Sequence, residues 1–201
     1  MIEFYFDCSS PWTYLGFESI QTVAKDTGTS IEWKPILVGG IFNTINPSVY
    51  ASREKPVPQK ASYMRKDLQD WARYQGLEIN WPEVFPVNSV KAMRGCLWLA
   101  PQGKLVPFAR AMFQSYWRDG KDIAQDDQLI PILDQLGVDR EAFFAGIQEP
   151  GIKDQLRENT EAVMRRGGFG SPTIFVDGDD MYFGNDRMPL IQAAIERRQG
   201  R

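Results

Sequence analysis

The sequence predicts a mixed α/β fold in which a βαβ unit at the start and a ββα unit at the end form one sheet domain, interrupted by an all-helical segment. Three observations lead there. Strand-like alternation is confined to residues 2–7, 30–37 and 173–183, and helical spacing dominates from Lys60 onward. The two end pieces are most economically joined in one hydrophobic core. The expected division is 1–48 for the first part of the sheet domain, 49–158 for the helical insertion and 159–201 for the second part.

Ile2, Phe4 and Phe6 alternate with Glu3, Tyr5 and Asp7, the period of a strand, and Tyr5 on the second face marks it as largely buried. Ser10-Pro11 starts a helix, because a hydroxyl can cap orphan amides and proline is tolerated in the first turn. Its apolar positions run through Ile20, Val23 and Ala24, and Gly28 closes it. Ser30 to Leu37 forms a second strand, with Pro35 hinting at an edge or a bulge. Gly39-Gly40 and the stretch from Asn46 to Pro58 carry turn residues, so loops are expected there.

Ala61, Met64, Leu68 and Trp71 mark one helical stripe, and Leu105, Phe108, Met112, Phe113 and Tyr116 another. Shorter helices are expected over 88–99, 126–136, 139–147 and 152–166. Trp81-Pro82 and Phe85-Pro86 fall in a break between helices, as a ligand wall or as a cover for the core. Thr173–Val176 and Met181–Phe183 flank the turn residues Asp177 to Asp180 as a hairpin. Met188 to Arg198 closes the chain as a helix with Leu190, Ile191, Ala194 and Ile195 facing inward.

Composition removes whole classes of function. The 201 residues are 43% hydrophobic and 24% charged, an ordinary globular balance. A net charge of −3 argues against a dedicated nucleic-acid surface. No apolar run reaches the roughly 20 residues of a membrane span. The start, Met1 to Asp7, has no basic region or small-residue cleavage site, so a cytoplasmic location is expected. With no histidine at all, histidine triads, histidine metal sites and imidazole acid-base catalysis drop out, and no acidic spacing selects a metal cage. Cys8 and Cys96 form no CxxC pair and are expected as two isolated thiols.

Chemistry gathers at three junctions. Asp7, Ser9, Ser10 and Pro11 stand where a strand hands over to a helix, whose amino end favours an anion; Ser10 is either a plain cap or a donor to that anion. Ser171-Pro172 precedes a strand, either as a tight turn or as a cis bond that leaves the Ser171 backbone open to a peptide-like ligand. Asp186 either caps the last helix or binds an ammonium group, with Asn185 and Arg187 beside it.

In this order, Phe6-Asp7-Cys8-Ser9-Ser10-Pro11-Trp12-Thr13-Tyr14-Leu15-Gly16, Gly39-Gly40-Ile41, Asn46, Lys60 with Tyr63-Met64 and Asp67-Leu68, Asn88, Phe169-Gly170-Ser171-Pro172-Thr173 and Phe183-Gly184-Asn185-Asp186-Arg187 resemble one family. It comprises the 2-hydroxychromene-2-carboxylate isomerases and kappa-class glutathione transferases, in the DsbA-like branch of the thioredoxin fold. The resemblance implies a thioredoxin-like sheet domain carrying a DsbA-like helical insertion, a homodimer, and glutathione as cofactor. Ser10-Pro11-Trp12-Thr13 stands where redox relatives carry CxxC, so disulfide exchange is not expected.

The resemblance further implies that Ser10 is catalytic, hydrogen-bonding the glutathione sulfur and favouring its thiolate. Asn46 and Lys60 would meet the glycyl carboxylate, Ser171 before Pro172 the cysteinyl portion, and Asn185 with Asp186 the γ-glutamyl end. Trp12, Trp81, Phe85 and Asn88 would line the site of a small aromatic or chromene-derived acid. The implied reaction is thiolate addition, bond rotation and elimination to an unsaturated α-keto acid. Conjugation of glutathione to hydrophobic electrophiles, in a kappa-like transferase, and noncatalytic peptide or thiol binding by a thioredoxin-like module are the alternatives.

Overall fold

In the computed structural model, which describes residues 1–200, the sheet has the strand order β2-β1-β3-β4. β1 (Ile2–Phe6) runs parallel to β2 (Ile31–Pro35) and antiparallel to β3 (Thr173–Val176), which pairs in turn with β4 (Asp180–Phe183). Pro35 ends an edge strand, where its missing N–H leaves no gap in an inner ladder.

Side-chain alternation along β1 builds two cores. Ile2, Phe4 and Phe6 point into the larger one with Phe17, Ile20, Phe113 and Ile191. Tyr5 points the other way, into a smaller core with Ile36, Ile41, Val163 and Phe175. Central β1 is therefore covered on both faces, and each fully buried phenylalanine contributes about 1.5–3 kcal/mol of transfer free energy.

α1 (Pro11–Thr27) follows β1 and presses its apolar side onto the larger core, ending at Gly28 in the left-handed region (φ 65°). α2 (Val38–Thr44) and α3 (Ser48–Glu54) occupy the stretch where loops were expected. Gly39 and Gly40 cost helix propensity, but Val38 and Ile41 are buried, and tertiary burial outweighs that penalty. Pro47 and Pro58 are turn residues only in the sense that they sit at helix entrances.

The remaining helices are α4 (Pro58–Tyr74), α5 (Val90–Leu99), α6 (Leu105–Phe113), α7 (Asp126–Gln135), α8 (Arg140–Gly146), α9 (Pro150–Arg165) and α10 (Met188–Arg198). α6 widens into a π-helical turn over Gln114–Arg118, which carries Tyr116 and Trp117 into the core. Arg166, just past α9, clamps that helix to β1 through bonds of 2.7 and 3.0 Å to the Glu3 carboxylate. Two inward assignments fail. Met64 and Leu190 are 57% and 56% exposed, because Leu68, Trp71 and Ala72 of α4, and Met188, Ile191, Ala194 and Ile195 of α10, lie on the faces that meet the core. No helix among the described residues is long and apolar enough to cross a membrane.

Candidate functional site

Ser10 opens α1 in an extended conformation, and its Oγ accepts the Thr13 N–H at 3.2 Å. The same hydroxyl donates to the Ser171 carbonyl at 3.3 Å, a long contact. Capping and anion binding are compatible readings of this geometry, since the helix entrance has no acidic residue in its first turn. Ser171-Pro172 is a cis bond, and Pro172 packs against α1. A Cβ on Gly16 would stand 3.1 Å from the Pro172 Cγ, so the glycine admits this close approach. Thr13, at the last position of the Ser-Pro-Trp-Thr turn, is fully buried, and its hydroxyl shares a 2.8 Å bond with the Ser171 hydroxyl.

Asp7 holds this arrangement together, a role its position before Ser10 did not disclose. Its carboxylate accepts the Ser9 N–H at 2.9 Å and the Val38 N–H at 2.8 Å, and the Ser89 hydroxyl also serves it. Its own N–H donates to the Ser171 hydroxyl at 3.1 Å. One residue thus ties the entrances of α1, α2 and α5 to the cis-proline loop. Burial pushes the Asp7 carboxyl above its ordinary value, and the bonds from Ser9, Val38 and Ser89 restrain the rise.

Cys8 and Cys96 are both buried, and they are neighbours rather than isolated thiols. Burial pushes the Cys8 thiol well up, and the adjacent Cys96 adds to this. A thiol so placed is a poor nucleophile.

Two cavities, of about 600 and 280 Å³, share Asp67, Trp71, Asn185 and Asp186 and form one groove. The larger part runs between α1, α4 and the start of α10, past Ser19, Tyr74 and Met188, and does not touch the cis-proline loop. The smaller part is the one next to the chemistry, since Trp12, Ser171, Phe183 and Arg187 line it. Asn185 lies at the junction, 5% exposed, and its Nδ2 has no hydrogen-bond partner. Gly184, at φ 102°, leaves room for Asp186, whose Oδ1 would stand 2.9 Å from a Cβ there. Asp186 pairs with Arg187 at 2.7 Å.

The structure thus brings Ser10, Trp12, Ser171, Pro172, Asn185 and Asp186 together, and adds Asp67 and Trp71 from α4. The other expected site residues stand apart from the groove. Asn46 donates to the Phe169 carbonyl at 3.2 Å, steadying the glycine loop before Ser171. Lys60 is exposed on α4, two helical turns before Asp67 on the same face, about 10 Å along the axis. Asn88 accepts the Val90 N–H at 3.0 Å at the entrance of α5, one residue from Ser89.

Trp81 and Phe85 build a second wall. Their rings lie 4.7 Å apart, and both face Trp117, at 5.9 and 6.2 Å. The Trp117 Nε1 donates to the Cys8 carbonyl at 2.9 Å, fastening this wall to the Ser10 turn. Trp117, one residue past the predicted stripe that ends at Tyr116, was not singled out from the sequence. The π-helical turn that redirects it leaves no periodic signature in five residues.

The family model of the DSBA-like thioredoxin domain matches residues 1–196. The chain belongs to that family. A 2-hydroxychromene-2-carboxylate isomerase of Pseudomonas putida is 31% identical over 201 residues, covering 98% of this chain and 95% of its own. Glutathione S-transferase kappa 1 of Homo sapiens is 29% identical, with 94% and 88% of the two chains covered. A solved structure of a 2-hydroxychromene-2-carboxylate isomerase superposes with a TM-score of 0.84 at 27% identity, over 99% of this chain and 97% of that one. The chain is thus similar to enzymes of both kinds along its whole length.

Proposed function

We propose that the chain catalyses the glutathione-dependent isomerisation of 2-hydroxychromene-2-carboxylate, or of a related aromatic-degradation intermediate, to an unsaturated α-keto acid. The observation that carries this reading is the Ser10 hydroxyl, poised at the entrance of α1 against Ser171 with a hydroxyl, Thr13, where a redox relative needs its second thiol. That pairing leaves no route for disulfide exchange at this turn.

The groove fits glutathione on one observation in particular. The buried Asn185 amide has a donor without a partner, and such a group costs about 1–3 kcal/mol until a ligand satisfies it. Asn185 would donate to the γ-glutamyl carboxylate, and Asp186 would accept from the neighbouring ammonium. The Ser171 backbone, whose carbonyl is released when the Ser10 hydroxyl turns away, would pair with the cysteinyl portion. Asn46 and Lys60 would serve the glycyl end.

When bound, glutathione supplies a thiolate that adds reversibly to the conjugated acid, so that rotation can occur before it leaves. Ser10 has only its long bond to Ser171 to give up before its proton turns to the sulfur. Together with the helix entrance, that donor is worth about 2–4 kcal/mol of stabilisation. Asp7 keeps the Ser10 turn, α2 and α5 in register while this happens. Trp12, which lines the smaller part of the groove, would flank the sulfur there.

The decisive experiment follows the ultraviolet spectrum of 2-hydroxychromene-2-carboxylate with purified protein, with and without glutathione. Isomerisation that requires glutathione is expected. Turnover independent of glutathione refutes the proposal, and conjugate formation without isomerisation selects the transferase.

A further inference from the structure

Arg53 stands outside everything assigned so far. It lies near the end of α3 and makes no ion pair or hydrogen bond with any described residue, although most arginines of this chain have a carboxylate partner. Its guanidinium is instead held among rings. The Cζ lies 5.1 Å from the centroid of Phe85, 5.6 Å from Phe42 and 6.0 Å from Tyr50. Ring faces orient a guanidinium without neutralising it, and they leave its donors free for an anion.

The rings also fix where that cation sits. Phe42 borders the cis-proline loop, since its Cε1 would be 3.9 Å from a Cβ on Gly170, the residue before Ser171. Phe85 packs on Trp117, which is bonded to the Cys8 carbonyl two residues before Ser10. Arg53 therefore bridges the walls that rise from the two loops meeting at Ser10, and it is not among the residues that line the groove with Asp67 and Asp186. Its field reaches inward as well: burial pushes the Tyr116 phenol up, and the Arg53 charge is among the smaller influences drawing it back.

We propose that Arg53 is the specificity-determining residue that recognises the carboxylate of an aromatic acid, while Phe85 and Trp81 take its ring. The inference rests on the isomerase reading for the reaction, but the recognition it assigns can be measured without turnover. A planar fork with free donors pairs bidentately with a carboxylate, and the neighbouring aromatic faces stack on the rest of such a ligand.

The test compares the wild-type chain with Arg53→Met and Arg53→Lys. Binding of 2-hydroxybenzoate and of the uncharged 2-hydroxybenzamide is followed by quenching of tryptophan fluorescence, and glutathione affinity is measured in parallel. Arg53→Met should weaken 2-hydroxybenzoate binding by about 10- to 100-fold, with Arg53→Lys in between. Amide and glutathione affinities should stay within about twofold of the wild type. In the isomerase assay the same substitution should act mainly through KM for the acid. Failure of the wild type to prefer the acid over the amide overturns the proposal, as does equal loss of acid, amide and glutathione binding in Arg53→Met. If the preference exists and depends on Arg53 but no isomerisation occurs, the reaction assigned to the site is wrong and the carboxylate recognition stands.

Discussion

Replacing Ser10 with alanine separates what this hydroxyl does for the fold from what it does for the reaction. Two bonds disappear, the cap on the Thr13 N–H at 3.2 Å and the contact with the Ser171 carbonyl at 3.3 Å. A lost cap costs about 1 kcal/mol, and the second bond, being long, about 0.5 kcal/mol. At roughly 2–4 °C per kcal/mol for a chain of this size, Tm should fall by about 3–6 °C and leave the protein folded at 25 °C. Loss of the donor to the sulfur removes about 2–4 kcal/mol from the transition state, which is ~30- to 1000-fold in kcat. Thermal melts, glutathione titration and isomerisation at saturating glutathione read the three effects independently. Turnover within about threefold of the wild type, with glutathione still bound, would refute the assigned role.

Asn185→Leu removes an unpartnered buried donor, so Tm without glutathione should hold or rise by a few degrees, while the rise that glutathione gives the wild type should shrink. Calorimetry with and without the tripeptide reads both. For Asp7 the sign follows from its raised value in the fold: the native state keeps the proton longer than the unfolded chain, so this carboxyl's contribution is full below about pH 4 and is lost as pH rises through the folded value. The stability difference between wild type and Asp7→Asn, from urea melts, should accordingly decline with pH over that window; a difference that grows would contradict the burial argument. Gly146→Ala would set a Cβ 2.0 Å from the Trp98 Nε1, so a loss of about 1–3 kcal/mol and a shift in tryptophan fluorescence are expected.

The strands were legible because their alternation is strong and local, and β1 could even be read as covered on both faces from Tyr5. The region from Gly39 to Pro58 was not, since its glycines and prolines signal turns while the burial of Val38 and Ile41 that makes α2 a helix is a long-range fact. Ser10, Ser171 and Asp186 showed themselves through junction chemistry. Asp7 did not, because a carboxylate that fastens three helix entrances looks in sequence like any acid at a strand end. Trp12 and Trp81 looked alike as aromatic candidates, and only the fold sends one into the groove and the other to the wall that Arg53 bridges.

The pairing of β1 with β3 sets an order of events during synthesis. Until residues 173–176 have been made, β1 has β2 on one side and an open edge on the other. Ser10 meets Ser171, 161 positions later, only after the whole helical segment between them has emerged. A nascent chain that stalls in the helical segment would carry the Ser10 hydroxyl beside an unpaired apolar strand, without the Ser171 loop it bonds to and without the buried Asn185 amide. Activity is therefore the last property this chain acquires, and exposure of that strand edge is the hazard it must pass before acquiring it.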